Sequence, residues 1–361
     1  MSGLAWLVPL LCCPRCRAGL ALTPSGADAE QGILGHTERG CDERYPVIDG
    51  IPRLLLGDAR SAVVRRRAGW FASDDSRRAL GSSWAGAGGT PNDVVSGFDY
   101  EWSRYSAGRA QDLERIFAMY FDLMSPEHFA GQVTVLDGGC GAGRWALAVA
   151  DRGPRVVAVD LGFSVEIAKR NAAGSDRIAF VQADLGALPL RPGAVDWAYS
   201  LGVLHHIVDP ARALEQITAV VRSTGDVLLY LYYALDGRSP VYRALFAAVD
   251  RVRRVTSVLP RPLAHAVAIT VAVLIYWPLS RLSRLLASVG LTGPARALPL
   301  SFYRDLPLSI MRNDSLDRLG TRLELRFTKP AMRALMERAG LGGIRFSALA
   351  PYWHALGTRT S

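Results

Sequence analysis

One segment, Val133-Thr-Val-Leu-Asp-Gly-Gly-Cys-Gly-Ala-Gly-Arg144, constrains the fold of this chain more than any other. A run of branched and aliphatic residues ends in an acid, Asp137, and Gly138, Gly139, Gly141 and Gly143 follow it. Glycine enters positive φ without steric cost and lets a ligand approach the backbone closely. The pattern therefore reads as a buried strand passing through a tight turn into a helix.

The surrounding sequence repeats this unit. Strands are predicted at Val133–Leu136, at Arg155–Val159 before Asp160, and at Ile178–Gln182 near Asp184. Two more are predicted at Val195–Ser200 and Asp226–Tyr232. Helices are predicted at Arg144–Ala150, Val165–Ala173 and Pro210–Val221, the last opened by Asp209 as N-cap. A further helical period, with Leu113, Ile116, Phe117, Tyr120, Phe121 and Met124 on one side, covers Asp112–Met124. Such alternation implies right-handed crossovers and a Rossmann-like, doubly wound, mostly parallel α/β sheet of seven strands. The pattern stops for about 90 residues, then resumes with a helix at Pro330–Ala339 and a strand at Ile344–Leu349. The interruption is too long and too apolar for a loop, so a folded helical insertion is expected.

Five segments follow: a compact unit at 1–57, a linker at 58–97, a core at 98–235, a helical lid at 236–327 and the end of the core at 328–361. The linker assignment rests on the basic run Arg65–Arg67 and the Gly/Ser/Ala stretch from Gly81 to Gly89.

Asp137, Asp160 and Asp184 fall at or just after the carboxyl ends of three consecutive strands, where open α/β sheets bind ligands. One such acid alone is usually a cap or a loop solvator. Three in register with a glycine turn make a site. The acid ahead of the turn selects the ligand: a pyrophosphate at that helix N-terminus would be repelled by Asp137. S-adenosylmethionine has no phosphate and carries an ammonium and a sulfonium, so a carboxylate suits it. Asp160 is placed for the two ribose hydroxyls, Asp184 for the adenine amine, and Asp137 for the amino-acid end. Leu161, Leu185 and Ser200 complete the expected cofactor contacts with Gly138, Gly139, Gly141 and Gly143. Gly141-Ala-Gly143-Arg-Trp-Ala146 also fits a loose dinucleotide pattern. That reading loses because Asp137 precedes it and Asp184 would have no role.

VLDGGCGAGR, VVAVD, VQADLGALPL, VDWAYSLGVLHHI and the strand after Arg222-Ser-Thr-Gly225 together resemble the class I S-adenosylmethionine-dependent methyltransferases. The resemblance covers roughly 98–235 and 328–350, implies the cofactor and is nearly silent on the acceptor. Phe98–Trp102 resembles the aromatic lead-in that many small-molecule members fold over the cofactor. His205 and His206 follow the fourth strand on the edge that faces the methyl group, where one of them is a candidate base. Tyr232, Tyr233 and His354 are weaker candidates. Paired histidines at this place also serve many members only to shape the loop. No Asn-Pro-Pro-aromatic motif follows that strand, which argues against methylation of adenine or glutamine amides.

Cys13-Pro-Arg-Cys16 has the spacing of a zinc knuckle. Residues 10–56, ending in YPVIDGIPRLL, resemble the zinc-ribbon partner subunit of tRNA, rRNA and protein methyltransferases. That family's fourth cysteine matches Cys41, and its third falls at Glu38. His36 is the nearest substitute, which gives Cys13, Cys16, His36 and Cys41 as the expected Zn2+ ligands, against a metal-free relict ribbon. Cys12 is expected to be a bystander.

The net charge is +9, and 40 of the 42 basic residues are Arg, a bias expected of GC-rich bacterial coding. Between Asp236 and Arg304 ten Arg face two acids, nearly the whole excess. Leu263–Leu279, most of it between Pro262 and Pro278, is apolar and flanked by arginines. It reads first as a buried lid helix, with membrane-surface contact through 262–284 and a true span as alternatives. Five cysteines make no disulfide framework, and the apolar start lacks a basic n-region, so a cytoplasmic location is expected, with membrane association if the lid touches lipid.

The expected function is methyl transfer to a small apolar or anionic acceptor, a hydroxyl of a natural product or of a lipid-linked or envelope precursor. An RNA methyltransferase and a non-catalytic binding subunit are the alternatives. The first is motivated by the ribbon and the basic charge, the second by the degraded Ser223-Thr-Gly225 turn.

Overall fold

A computed structural model describes residues 3–25, 28–38, 41–73, 76, 78, 80–84, 110–235, 240–348 and 353–360. The aromatic lead-in at Phe98–Trp102 lies outside the described residues.

Seven strands form the expected core. They are β5 (Thr134–Gly138), β6 (Arg155–Asp160), β7 (Ile178–Ala183), β8 (Trp197–Leu201), β9 (Asp226–Tyr230), β10 (Leu341–Phe346) and β11 (His354–Arg359). Their order is β7-β6-β5-β8-β9-β11-β10, parallel except for β11, which is antiparallel to both of its neighbours. β7 is buried along its whole length and β6 over four of its six residues, as parallel strands covered on both faces must be. One face packs against α4 (Ala110–Tyr120), α5 (Arg144–Ala150) and α6 (Ser164–Asn171) through Phe117, Val149 and Val165. The other carries α7 (Pro210–Val220) and α12 (Lys329–Arg338), through Ile217 and Met332. Asp209 caps α7 as expected, accepting from the Arg212 amide at 3.0 Å. β11 was not anticipated: its sequence, His354-Ala-Leu-Gly-Thr-Arg359, is short, and a glycine interrupts its apolar run.

The N-terminal unit opens with α1 (Gly3–Leu7) and continues as β1 (Leu20–Ser25), β2 (Asp28–His36), β3 (Tyr45–Ile48) and β4 (Ile51–Leu54). It is not a separate body. β4 pairs in parallel with β7, Arg53 opposite Gln182 and Leu54 opposite Ala183, so the ribbon and the core form one 11-stranded sheet. Leu7, Leu11, Leu34 and Val47 belong to the same buried cluster as Val157 and Val181 of the core. β4 thereby covers what would otherwise be an exposed sheet edge.

The expected linker is a correction. Among its described residues, α2 (Ala59–Arg66), α3 (Ala68–Ala72) and a single turn at Gly81–Trp84 pack on the ribbon. Val63, Leu80 and Trp84 are buried there, and Trp84 Nε1 donates to the Arg44 carbonyl at 2.8 Å. The Gly/Ser content suggested slack chain, but the apolar residues spaced through it are held in the core.

The insertion is helical, as expected: α8 (Pro240–Thr256), α9 (Arg261–Ser288), α10 (Thr292–Ala297) and α11 (Leu308–Gly320). Pro278 does not end α9. A π-helical stretch at Ala272–Tyr276 precedes it and takes up the amide bond that proline cannot make. The buried-lid reading of this helix fails. Only 28 % of its apolar window is buried, because just one narrow stripe meets the rest of the insertion.

Candidate active site

The glycine turn is built as the sequence requires. Gly139, Gly141 and Gly143 have φ of +89°, +51° and +81°. A Cβ on Gly139 would lie 2.4 Å from the Val203 side chain, so this position admits no other residue without displacement. Asp137 is 2 % exposed, and its Oδ2 has no hydrogen-bond partner among the described residues. Burial pushes its carboxyl up to about 8; the neighbouring Asp160 adds to this and Tyr199 opposes it. A buried acceptor without a donor beside a glycine cradle fits a cationic ligand group.

Asp160 sits at the end of β6 and accepts from the Gly141 amide through Oδ2 and the Gly162 amide through Oδ1, both at 2.9 Å. These bonds lock the β6 loop to the glycine turn and leave lone pairs for ribose hydroxyls. Asp184 is exposed at the end of β7, where Oδ1 caps the next turn by accepting from Gly186 at 2.8 Å. Leu185 is buried behind it and Leu161 is half-buried. Ser200 is fully buried and donates to the Gly138 carbonyl at 2.8 Å, which fastens β8 to the turn instead of reaching into the cleft.

Beyond this cradle the insertion packs back onto the core. Chain returning from α11 runs beside β9, where the Phe327 amide bonds the Tyr232 carbonyl at 2.9 Å. The Leu325 amide reaches the His205 carbonyl at 2.8 Å. Tyr120 and Trp145, the latter two residues past Gly143, meet Ile116, Tyr276, Tyr303 and Ile310 in one cluster. Asp314, Asp317 and Arg318 share one side of α11 at i, i+3 and i+4 spacing. Asp314, Asp317 and Arg318 are all half-buried. Tyr303 donates to Asp314 at 2.8 Å, and Tyr232 to Asp317 at 2.5 Å. Burial pushes the Asp314 carboxyl up, opposed by the Tyr303 hydroxyl and Arg318.

The two histidines separate. His205 is fully buried, neither ring nitrogen has a hydrogen-bond partner among the described residues, and the ring stacks on Tyr232 at 3.8 Å. Burial drives its pKa well below the usual value, so it packs as a neutral ring. His206 Nδ1 bonds the Leu323 carbonyl at 2.7 Å, and its Nε2 stands 3.6 Å from Asp317 Oδ1. His354 stacks on Tyr120 and Tyr230, with its pKa lowered to about 4 by burial. Tyr233 turns away, toward Trp353. Asp314, Asp317 and Arg318 escaped notice in the sequence, although two acids and an arginine on one helix face within an apolar insertion were a readable signal.

The metal set comes together. One ligand atom from each of Cys13, Cys16, His36 and Cys41 lies within 4.8 Å of all the others. The Cys13–Cys41 Sγ separation is 3.7 Å, and His36 Nε2 is 3.3 Å from Cys16 Sγ and 3.6 Å from Cys41 Sγ. Zinc bonds of about 2.3 Å to sulfur and about 2.0 Å to nitrogen give tetrahedral edges of this length. The four residues fit Zn2+, with His36 and not Glu38 as the fourth ligand. Glu38 is exposed and outside the cluster, as is the buried Cys12.

Residues 136–229 match the family model described as "Methyltransferase domain". A demethylmenaquinone methyltransferase of Clavibacter sepedonicus is 31 % identical over 96 residues, 26 % of this chain and 39 % of that protein. A ubiquinone biosynthesis O-methyltransferase of Saccharophagus degradans is 28 % identical over 155 residues, 42 % of this chain and 61 % of that protein. The chain thus spans less than two thirds of either relative. An S-adenosylmethionine-dependent methyltransferase structure from Thermotoga maritima covers 73 % of this chain and 100 % of its own, at 13 % identity and a TM-score of 0.38. Strand order, cradle and matched segment agree: the core is a class I S-adenosylmethionine-dependent methyltransferase domain.

Proposed function

We propose that the chain methylates a hydroxyl of a small, lipophilic, aromatic acceptor held between α11 and the carboxyl ends of β8 and β9. The observation that carries this reading is the half-buried Tyr/Asp/Arg cluster at α11, which meets Tyr120 and, two residues past the glycine turn, Trp145. S-adenosylmethionine, when bound, supplies an electrophilic methyl on a sulfonium. Asp137 receives the cationic amino-acid end, and Asp160 the ribose. Tyr120, Tyr230 and Tyr303 give flat walls for an aromatic ring, and Arg318 attracts a phenolate as it forms. The insertion excludes water and sets the line of attack, from which most of the acceleration in such a displacement derives. Proton removal falls to the Asp317–His206 pair: Asp317, 19 % exposed, takes the acceptor proton at its carboxylate, and His206 stands behind it. That two relatives are named for quinone biosynthesis supports an acceptor of this chemistry.

Two measurements test the reading. Calorimetry with S-adenosylhomocysteine should show binding that Asp160→Ala weakens at least about tenfold. With labelled methyl donor and a panel of phenolic and catecholic acceptors, Asp317→Asn should lower kcat by about 10²–10⁴ with little change in cofactor affinity. No binding, or no label on any hydroxyl-bearing aromatic acceptor, defeats the proposal.

A further inference from the structure

Among the described residues, thirteen of the fourteen exposed large hydrophobic side chains lie between Val249 and Leu291, on α8, α9 and the turns around them. The other, Val208, stands alone before α7. α9 is built inside out. Its packed stripe is mostly small, with Ala264, Ala268, Ala272 and Ser280 buried, and Ser315 donates to the Ala268 carbonyl at 2.9 Å. Its outer face presents Leu263, Val273, Leu274, Trp277, Leu282 and Leu285, Leu274 at 68 % exposure. A helix at a water surface has the reverse arrangement.

Charge selects the occupant. Residues 240–291 hold seven arginines and one acid, Asp250, which is engaged by Arg253 at 2.8 Å and Arg254 at 2.9 Å. The Arg254 and Arg284 side chains are 73 % and 63 % exposed beside the apolar face. A second copy would bring the same positive field against itself, whereas anionic lipid neutralises it. The opposite side of α9 is committed to α11, and Arg261, Arg281 and Arg284 bracket the apolar stretch. The helix therefore lies along a surface instead of crossing one.

We propose that the outer face of α8 and α9 docks on an anionic bilayer, with Leu274 and Trp277 entering the acyl boundary and the arginines meeting lipid phosphates. This deepens the proposed function and rests on it for one point. Tyr276, on the buried side of α9, shares a cluster with Tyr303, Tyr120 and Trp145 beside the proposed acceptor site, so docking would set that site beside the phase in which a lipophilic acceptor dissolves.

The test uses the full chain with neither acceptor nor methyl donor, so its outcome is independent of catalysis. Co-sedimentation with phosphatidylglycerol/phosphatidylcholine vesicles should exceed that with pure phosphatidylcholine by about tenfold or more and weaken with salt. The double substitution Leu274→Ser, Trp277→Ser should cut partitioning at least about tenfold while the Tm and S-adenosylhomocysteine affinity stay unchanged. Should that pair fail to fold, Leu282→Ser with Leu285→Ser serves the same purpose. Equal partitioning into both vesicle types, no sedimentation, or a lipid-free dimer that the same substitutions dissociate would overturn the proposal, the last in favour of a self-interface.

Discussion

The ribbon and the helical insertion are both additions to one methyltransferase core, and they are attached in opposite ways. The ribbon gives a strand to the sheet and sends a charged side chain into the interior. Arg53 is fully buried and donates to Gln182 Oε1 at 2.7 Å and Glu166 Oε1 at 2.8 Å, and Arg67 joins Glu166 at 2.8 Å. In the insertion, α9 buries mostly small residues and turns large apolar ones outward. A module whose partner is its own core conceals polar groups in paired networks. One whose partner is another phase leaves apolar area uncovered. Adjacency in sequence is no guide here, because β4 finds its partner strand β7 far along the chain, with Arg53 opposite Gln182.

The largest expected effect lies at the ribbon junction. Arg53→Met leaves Gln182 Oε1 without its donor and Glu166 with only the partly exposed Arg66 and Arg67, which costs about 3–5 kcal/mol in chemical denaturation. Glu166→Leu in the same chain should recover much of it, since an apolar pair of similar volume needs no desolvation compensation. Gln182 Nε2 also donates to the Leu161 carbonyl at 3.0 Å, just past Asp160. The single variant should therefore bind S-adenosylhomocysteine more weakly as well. Stability lost with affinity untouched would mean the ribbon is only a covering for the sheet edge.

Legibility followed locality. The glycine turn, the acids ending β5, β6 and β7, and the cap at Asp209 were readable because strand, turn and helix signals are contiguous. The four metal positions were readable because ligand spacing is itself a chemical constraint. The parallel pairing of β4 with β7 was not, because Arg53 in a Pro-Arg-Leu run reads as surface until its partners, more than a hundred residues on, are placed. Residues 58–84 misled for the converse reason: glycine and serine mark flexibility in a free chain, while Val63 and Trp84 find their contacts only in the assembled fold. Asp317 was hidden in the insertion, and His205 and His206, neighbours in sequence, diverge because only His206 faces the returning chain.

The core between the two additions gives a sharper contrast, a buried carboxyl kept for a ligand and not for stability. In the folded chain Asp137 is held protonated up to about pH 8, against a carboxyl value of 3.8 in ordinary surroundings. Its folded pKa is raised, so the unfolded chain releases the proton first and wild-type stability falls as pH climbs from about 4 to 8, then levels. Asp137→Asn has no such term. Its Tm should match wild type near pH 4 and exceed it increasingly up to pH 8, by about 1–3 kcal/mol in stability. Its affinity for S-adenosylhomocysteine should fall at least about tenfold. A variant less stable than wild type at pH 8 would show that Asp137 has a structural donor, and the resemblance to the Arg53 network would then outweigh the difference.

The smallest effect belongs on the outer face of α9, and its smallness carries the information. Leu274→Ser removes a large side chain from a helix, a change that in a packed core costs several kcal/mol because it leaves a cavity. At 68 % exposure there is little burial to lose, so stability in lipid-free buffer should move by no more than about 0.5 kcal/mol. Ala268, one and a half turns earlier on the packed stripe, is the control. It has no exposed surface, and Ala268→Leu should cost about 1–3 kcal/mol by forcing α11 outward. If Leu274→Ser costs as much as Ala268→Leu, the outer face is packed in solution against something, and the contrast between an inward-facing ribbon and an outward-facing insertion disappears.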